Sequence, residues 1–198
     1  MNQQTILKQA TKGLLLATSA LLLTGNALLG AEYELTKHRI QWSGSMPART
    51  HTGLLTPEDF DLEISDEGTV ESLRVVLDMD SIDVTDLDGG KRKKLMKHLR
   101  SEDFFYVEEY PTAQFVMDEH RDGELHGTIT IRGISEPISI PVTVHGHPDR
   151  GWMLNGTFTF DRQKFNVNYQ NSGFFGVAKN KIIRDEVELD IELTATKS

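Results

Sequence analysis

Glu186-Val187-Glu188-Leu189-Asp190-Ile191-Glu192-Leu193-Thr194 alternates a polar with an aliphatic side chain over its whole length. A period of two sends successive side chains to opposite faces of an extended chain, so this stretch reads as a strand with one face for water and one for a core. Working back from it, the same alternation recurs. Leu73, Val75, Leu77 and Met79 alternate with Ser72, Arg74, Asp78 and Asp80, and Val76 alone breaks the polar set. Further sets are Ala113, Phe115, Met117; Leu125, Gly127, Ile129, Ile131; Ile138, Ile140, Val142, Val144; and Trp152, Leu154, Gly156, Phe158, Phe160. Each is the signature of an antiparallel strand covered on one side only.

The links between these stretches are short and rich in turn residues. Asp66-Glu67-Gly68, Arg121-Asp122-Gly123, Arg132-Gly133 and His147-Pro148-Asp149-Arg150-Gly151 join neighbours closely enough to pair as hairpins. With two more strands expected over residues 33–42 and 54–64, the chain has about eight, which by pattern alone means a sandwich or a closed up-and-down barrel. No repeat, linker or low-complexity run divides it. One segment departs from the rhythm: from Lys91 to Arg100 helix formers dominate, Leu95 and Leu99 fall four apart on one side, and Asp86 or Asp88 is available as a cap. A short helix packed at one end is expected there.

That helix is basic, with Lys91, Arg92, Lys93, Lys94, Lys97 and Arg100 in ten positions, on a chain of 198 residues with 30 acidic and 21 basic side chains and a net charge of -9. The overall acidity argues against nucleic acid as a partner. The basic run is either a contact for an anionic headgroup or membrane surface, through Lys91, Arg92, Lys93 and Lys94, or a solvated helix face. There is no cysteine. That excludes a disulfide scaffold, a thiolate-held metal or cluster, a cysteine nucleophile and an acylated cysteine anchor.

Residues 1–31 read as a signal peptide. Lys8 and Lys12 form a positive start, residues 13–23 an apolar core, and cleavage after Ala27 or Ala31 follows small residues. The alternative is an uncleaved anchor, against which Asn26, Thr18, Ser19, Thr24 and the glycines count. Removal of the segment takes Lys8 and Lys12 with it and moves the charge from -9 to -11. The expectation is one domain over residues 32–198, periplasmic or secreted, held by core packing alone.

All nine Phe, four Tyr and two Trp fall after residue 31. They cluster at Phe104, Phe105, Tyr106, Tyr110 and Phe115 and again at Phe158, Phe160, Phe165, Tyr169, Phe174 and Phe175. An eight-stranded barrel is just wide enough to be filled by its own side chains or to hold one slim ligand, and both outcomes use the same residues.

Several ordered motifs then resemble one family. Leu77-Asp78-Met79-Asp80-Ser81-Ile82, His98-Leu99-Arg100-Ser101-Glu102-Asp103-Phe104-Phe105 and Tyr110-Pro111-Thr112-Ala113-Gln114-Phe115 are similar to the central signature of the YceI-like family of exported polyisoprenoid-binding proteins. Leu125-His126-Gly127-Thr128-Ile129-Thr130-Ile131-Arg132-Gly133, Glu136-Pro137-Ile138 and Phe160-Asp161-Arg162-Gln163-Lys164-Phe165 follow in the family's order. Trp42-Ser43-Gly44-Ser45, His51-Thr52-Gly53 and Gly173-Phe174-Phe175-Gly176 resemble a subgroup, whereas Tyr106 stands where the family usually has Asp. The resemblance covers residues 33–196 and implies a lipocalin-like antiparallel barrel of eight strands with one short helix at one end. Its apolar channel accepts an isoprenoid or similar long-chain lipid and catalyses nothing.

The lining expected from inward phases and motif aromatics is Trp42, Leu77, Met79, Phe104, Phe105, Phe115, Met117, Phe158, Phe160 and Phe165, the two methionines adapting to an irregular ligand. His98, Tyr110 and Arg162 are expected either to meet a headgroup or to tie the helix to the barrel. His145-x-His147, with His51, His120 and His126, could supply metal ligands, but before Pro148-Asp149-Arg150-Gly151 it reads as a solvated turn, and no metal or other cofactor is expected. No nucleophile elbow or phosphate-cradling glycine loop appears. The competing reading is a filled barrel, a periplasmic stress-response or interaction protein that docks a partner or membrane through the basic helix.

Overall fold

The alternating stretches are the staves of a closed barrel. In the computed structural model, which describes residues 31–170 and 182–197, they run as β1 (Ala31–Met46), β2 (Arg49–Ile64), β3 (Val70–Asp78), β4 (Thr112–Arg121), β5 (Glu124–Ile131), β6 (Ile134–His147), β7 (Gly151–Asp161) and β8 (Glu186–Lys197). Residues 1–30 of the expected signal peptide and the Gly173-Phe174-Phe175-Gly176 motif lie outside the described residues. Each strand pairs antiparallel with the next in sequence, and β8 closes on β1 with Trp42 opposite Leu189. A sandwich is thereby excluded.

Turn chemistry fixes the register. Asp122-Gly123 and Arg132-Gly133 are two-residue loops in which both residues have positive φ, the turn whose twist matches that of the strands it joins. Up-and-down order divides the connections between two ends. The lower end has the tight links β2–β3, β4–β5 and β6–β7; the upper end has the two long ones, residues 79–111 and 162–185. The first holds a 3-10 turn (Met79–Ser81) and the helix α1 (Gly89–Arg100); the second begins with a 3-10 turn (Arg162–Phe165).

The lower end is plugged. Tyr33, Ile64, Val70, Trp152 and Ala195 are all buried there. The β2–β3 turn folds over the opening, and Gly68, at φ +86°, lies against the Trp152 ring, so a side chain at that position would strike the indole. The Tyr33 hydroxyl and Trp152 indole nitrogen are buried with no hydrogen-bond partner among the described residues.

The wall has one upper seam. Pairing of β6 with β7 begins only at Val142↔Gly156, so among the strands residues 134–141 of β6 pair with β5 alone. The Val142 N–H donates to Gly123 O on the β5 side, so the nitrogens of Pro141 and Pro137, in the alternate phase, face the seam. Proline has no N–H to leave unpaired, which is why two of them are tolerated within one barrel strand.

Candidate functional site

Between the plugged floor and α1 lies a cavity of about 150 Å³, with wall residues from all eight strands. Every strand contributes its apolar phase, so the wall is apolar by the same alternation that makes the strands. Trp42, Leu77, Phe115, Phe158 and Phe160 lie on it, and Met79, Phe104 and Phe105 close in from the β3–β4 connection. The barrel is thus filled at one end and hollow above.

Met117, Phe165, His98 and Tyr110 do not line the cavity. Met117 has the inward phase but pairs with Gly127 beside the β4 irregularity between Met117 and Glu119, and is only partly buried. Phe165 is 1% exposed and packs edge-on against Phe160, ring centroids 5.7 Å apart, beyond the end of β7 where strand phase no longer applies. Tyr110 packs over the β5–β6 turn at Gly133. His98 stands at the rim, edge-on to Phe104 at 4.8 Å and to Tyr169 at 4.4 Å, with Nδ1 4.0 Å from Asp103.

Among the described residues Arg162 is the one charged residue on the wall, and it is 1% exposed. Its donors are spent on the chain around it: Nη1 donates to Val167 O at 2.6 Å, Nε to Arg184 O at 3.1 Å, and Nη2 to Ile183 O at 3.1 Å and Asp185 Oδ1 at 3.2 Å. Burial pushes its pKa down, while Asp185 and Asp161 oppose that shift. The side chain ties the two halves of the β7–β8 connection together, so the cavity wall presents little free polarity.

The β3–β4 connection is fastened to the barrel by side chains that motif reading left unassigned. The backbone of residues 83–85 bonds to Thr52 and Leu54 of β2, and the Trp42 indole donates to Asp83 O at 3.0 Å. Gly53 makes this close approach possible, since a Cβ there would overlap both Asp83 O and the indole. Arg92 clamps the Asp83 carboxylate, with Nη2 2.6 Å from each oxygen, and donates through Nε to Val84 O at 2.9 Å. The Arg92 bond holds Asp83 below the usual carboxylate range. Burial pushes Asp86 up, but bonds from the Thr52 N–H at 3.0 Å and His51 Nδ1 at 2.8 Å outweigh it and leave Asp86 lowered. Asp86 is therefore no cap for α1, and Asp88, which occupies the cap position, makes no side-chain cap bond.

The remaining histidines are dispersed. His120 Nδ1 accepts from Val70 N, His126 Nδ1 bonds Ser139 Oγ at 2.7 Å, and His145 and His147 are exposed at the end of β6. Among the described residues no three His, Cys, Asp or Glu side chains gather as metal ligands do.

Motif reading favoured aromatics and passed over aliphatics that line the cavity equally, such as Val75, Ile129 and Leu189 within the strands and Ile82, Leu99 and Val167 at the mouth. The strand members were legible from phase. Those at the mouth carried no periodic signal. An apolar space of this kind can select a ligand by girth and hydrophobicity.

A family model described as YceI-like domain matches residues 34–195. A UPF0312 protein of Pseudomonas putida is 27% identical over 207 residues, 97% of this chain and 99% of its own length. One from Staphylococcus epidermidis is 26% identical over 145 residues, 64% of this chain and 85% of its own. Among solved structures, Burkholderia cenocepacia BcnA superposes with a TM-score of 0.63 at 22% identity, covering 80% of this chain and 96% of that one. A polyisoprenoid binding domain from Saccharophagus degradans gives 0.62 at 14% identity, covering 86% and 99%. The barrel fold is shared with both, and on the match over residues 34–195 the chain belongs to the YceI-like domain family.

Proposed function

We propose that this protein is an exported carrier that holds a polyisoprenoid or similarly long apolar lipid in its barrel and performs no chemistry on it. The observation that carries the reading is the cavity: a hollow walled by all eight strands whose single charged residue, among the described residues, is already bonded. Membership of a family with a polyisoprenoid binding domain among its structural neighbours supports it, as does the signal-peptide pattern for export to the periplasm or beyond. Each buried methylene contributes about 0.8 kcal/mol, so a chain can be held without polar contacts. Met79, Leu99 and the Phe104–Phe105 pair line the cavity from the upper connection, so a long chain that enters there displaces them.

Native mass spectrometry of protein purified from its own host, with solvent extraction of the same sample, tests this. A co-purifying apolar molecule of discrete mass is expected. Repeated preparations that give only the apo mass, and that take up no added polyprenol, overturn it.

A further inference from the structure

The helix over the mouth divides its cations by residue type. Both arginines point inward: Arg92 grips Asp83, and Arg100 reaches the carbonyls of Asp80 and Ile82. With Leu99 buried and Leu95 and Met96 half-buried, they fasten α1 to the barrel. The four lysines do none of this. Lys91, Lys93, Lys94 and Lys97 are exposed and form no ion pair among the described residues. At 3.6 residues per turn, Lys93, Lys94 and Lys97 fall within an arc of about 100° on the side opposite Leu95 and Leu99, with Lys91 about 60° beyond it, in the first turn. A shallow groove lined by Lys93, Met96, Lys97, Arg100 and Ser101 runs along one flank of that arc.

Helix stability accounts for Lys97, in the last turn, but not for Lys91, Lys93 and Lys94. The amino-terminal turn carries the positive end of the helix dipole, where carboxylates stabilise and cations do not. Here that turn opens with Gly89 and Gly90, has no acidic residue, lacks a side-chain cap bond and is followed at once by Lys91 to Lys94. The first two turns thus gather positive charge on a chain whose net charge is -9. Asp86 and Asp88 lie before the amino end and Glu102 and Asp103 past the carboxyl end, so the lysines at 91, 93, 94 and 97 form a positive stretch bounded by acidic residues.

We propose that α1 is a docking surface for an anionic lipid bilayer, engaged through Lys91, Lys93, Lys94 and Lys97, which sets the cavity mouth against the membrane. Charge complementarity selects the occupant: flexible, strongly hydrated ammonium groups with no fixed partner suit a field of lipid phosphates better than a single shaped ligand. Arg92, which the sequence pattern alone would include, is excluded because its guanidinium is held by Asp83, and Lys97 takes its place. The surface works whether or not the barrel carries cargo, so this proposal stands apart from the carrier reading.

Flotation of cargo-free protein with vesicles of phosphatidylcholine alone, or of phosphatidylcholine with phosphatidylglycerol, tests it. Binding only to the anionic vesicles, weakened by added salt, is expected. Each lysine removed should lower partitioning roughly fivefold, so Lys93→Gln, Lys94→Gln and Lys97→Gln together cost roughly a hundredfold. Arg92→Gln should change partitioning less than about twofold while lowering the thermal midpoint. Unchanged midpoints for the lysine variants show that they fold. Equal binding to both vesicle types, no binding to either, or indifference to the triple lysine substitution overturns the proposal, even if polyprenol uptake is found.

Discussion

Two buried polar side chains at opposite ends of the barrel carry opposite expectations. Arg162 is satisfied four times over, and its loss would strand the carbonyls of Val167, Ile183 and Arg184 together with the Asp185 carboxylate. Arg162→Met should destabilise by about 3–5 kcal/mol in urea unfolding, as for removal of one partner of a buried ion pair. Arg162→Lys should not rescue it, because one ammonium cannot reproduce a planar fork. Tyr33 is the converse. Its hydroxyl is buried without a partner, so Tyr33→Phe should leave stability unchanged or raise it by up to about 1 kcal/mol. A loss for Tyr33→Phe comparable to that for Arg162→Met would mean a bound water completes the floor.

At the scale of elements, periodicity showed most of the barrel and little of what covers it. A period of two gives each inward face, and turn dipeptides give each hairpin, so all eight strands were legible. Phase alone does not say which inward side chain meets the cavity: Met117 and Phe115 share a phase, yet only Phe115 lines it. Contacts made by residues 82–86 depend on Gly53 leaving room for a backbone from thirty residues away, which no local pattern encodes. The helix was visible by composition, but its division into clamping arginines and free lysines required the fold. That division makes a prediction. Lys91→Glu places a carboxylate in the first turn and should stabilise the helix by about 0.3–1 kcal/mol. The same change should weaken binding to anionic vesicles, so thermal midpoint and membrane affinity should move in opposite directions.

For the whole molecule, the cavity can be altered without disturbing the staves. Val75 faces it from the middle of β3, and Val75→Phe should occupy much of the roughly 150 Å³ now empty. Filling a void commonly adds about 0.5–2 kcal/mol, so this variant should unfold no more easily than the parent while co-purifying with less lipid. Lipid recovered per mole of protein, measured beside the thermal midpoint, checks both halves of that expectation. Undiminished lipid in a folded Val75→Phe protein would place the ligand outside the barrel.

The plug of Tyr33, Ile64, Val70, Trp152 and Ala195 makes the barrel a blind tube. A chain that enters must leave tail-last through the same door, so donor and acceptor membranes cannot be served at once. For a carrier this means shuttle kinetics: delivery alternates strictly with collection, and an excess of either membrane slows the exchange by occupying the doorway.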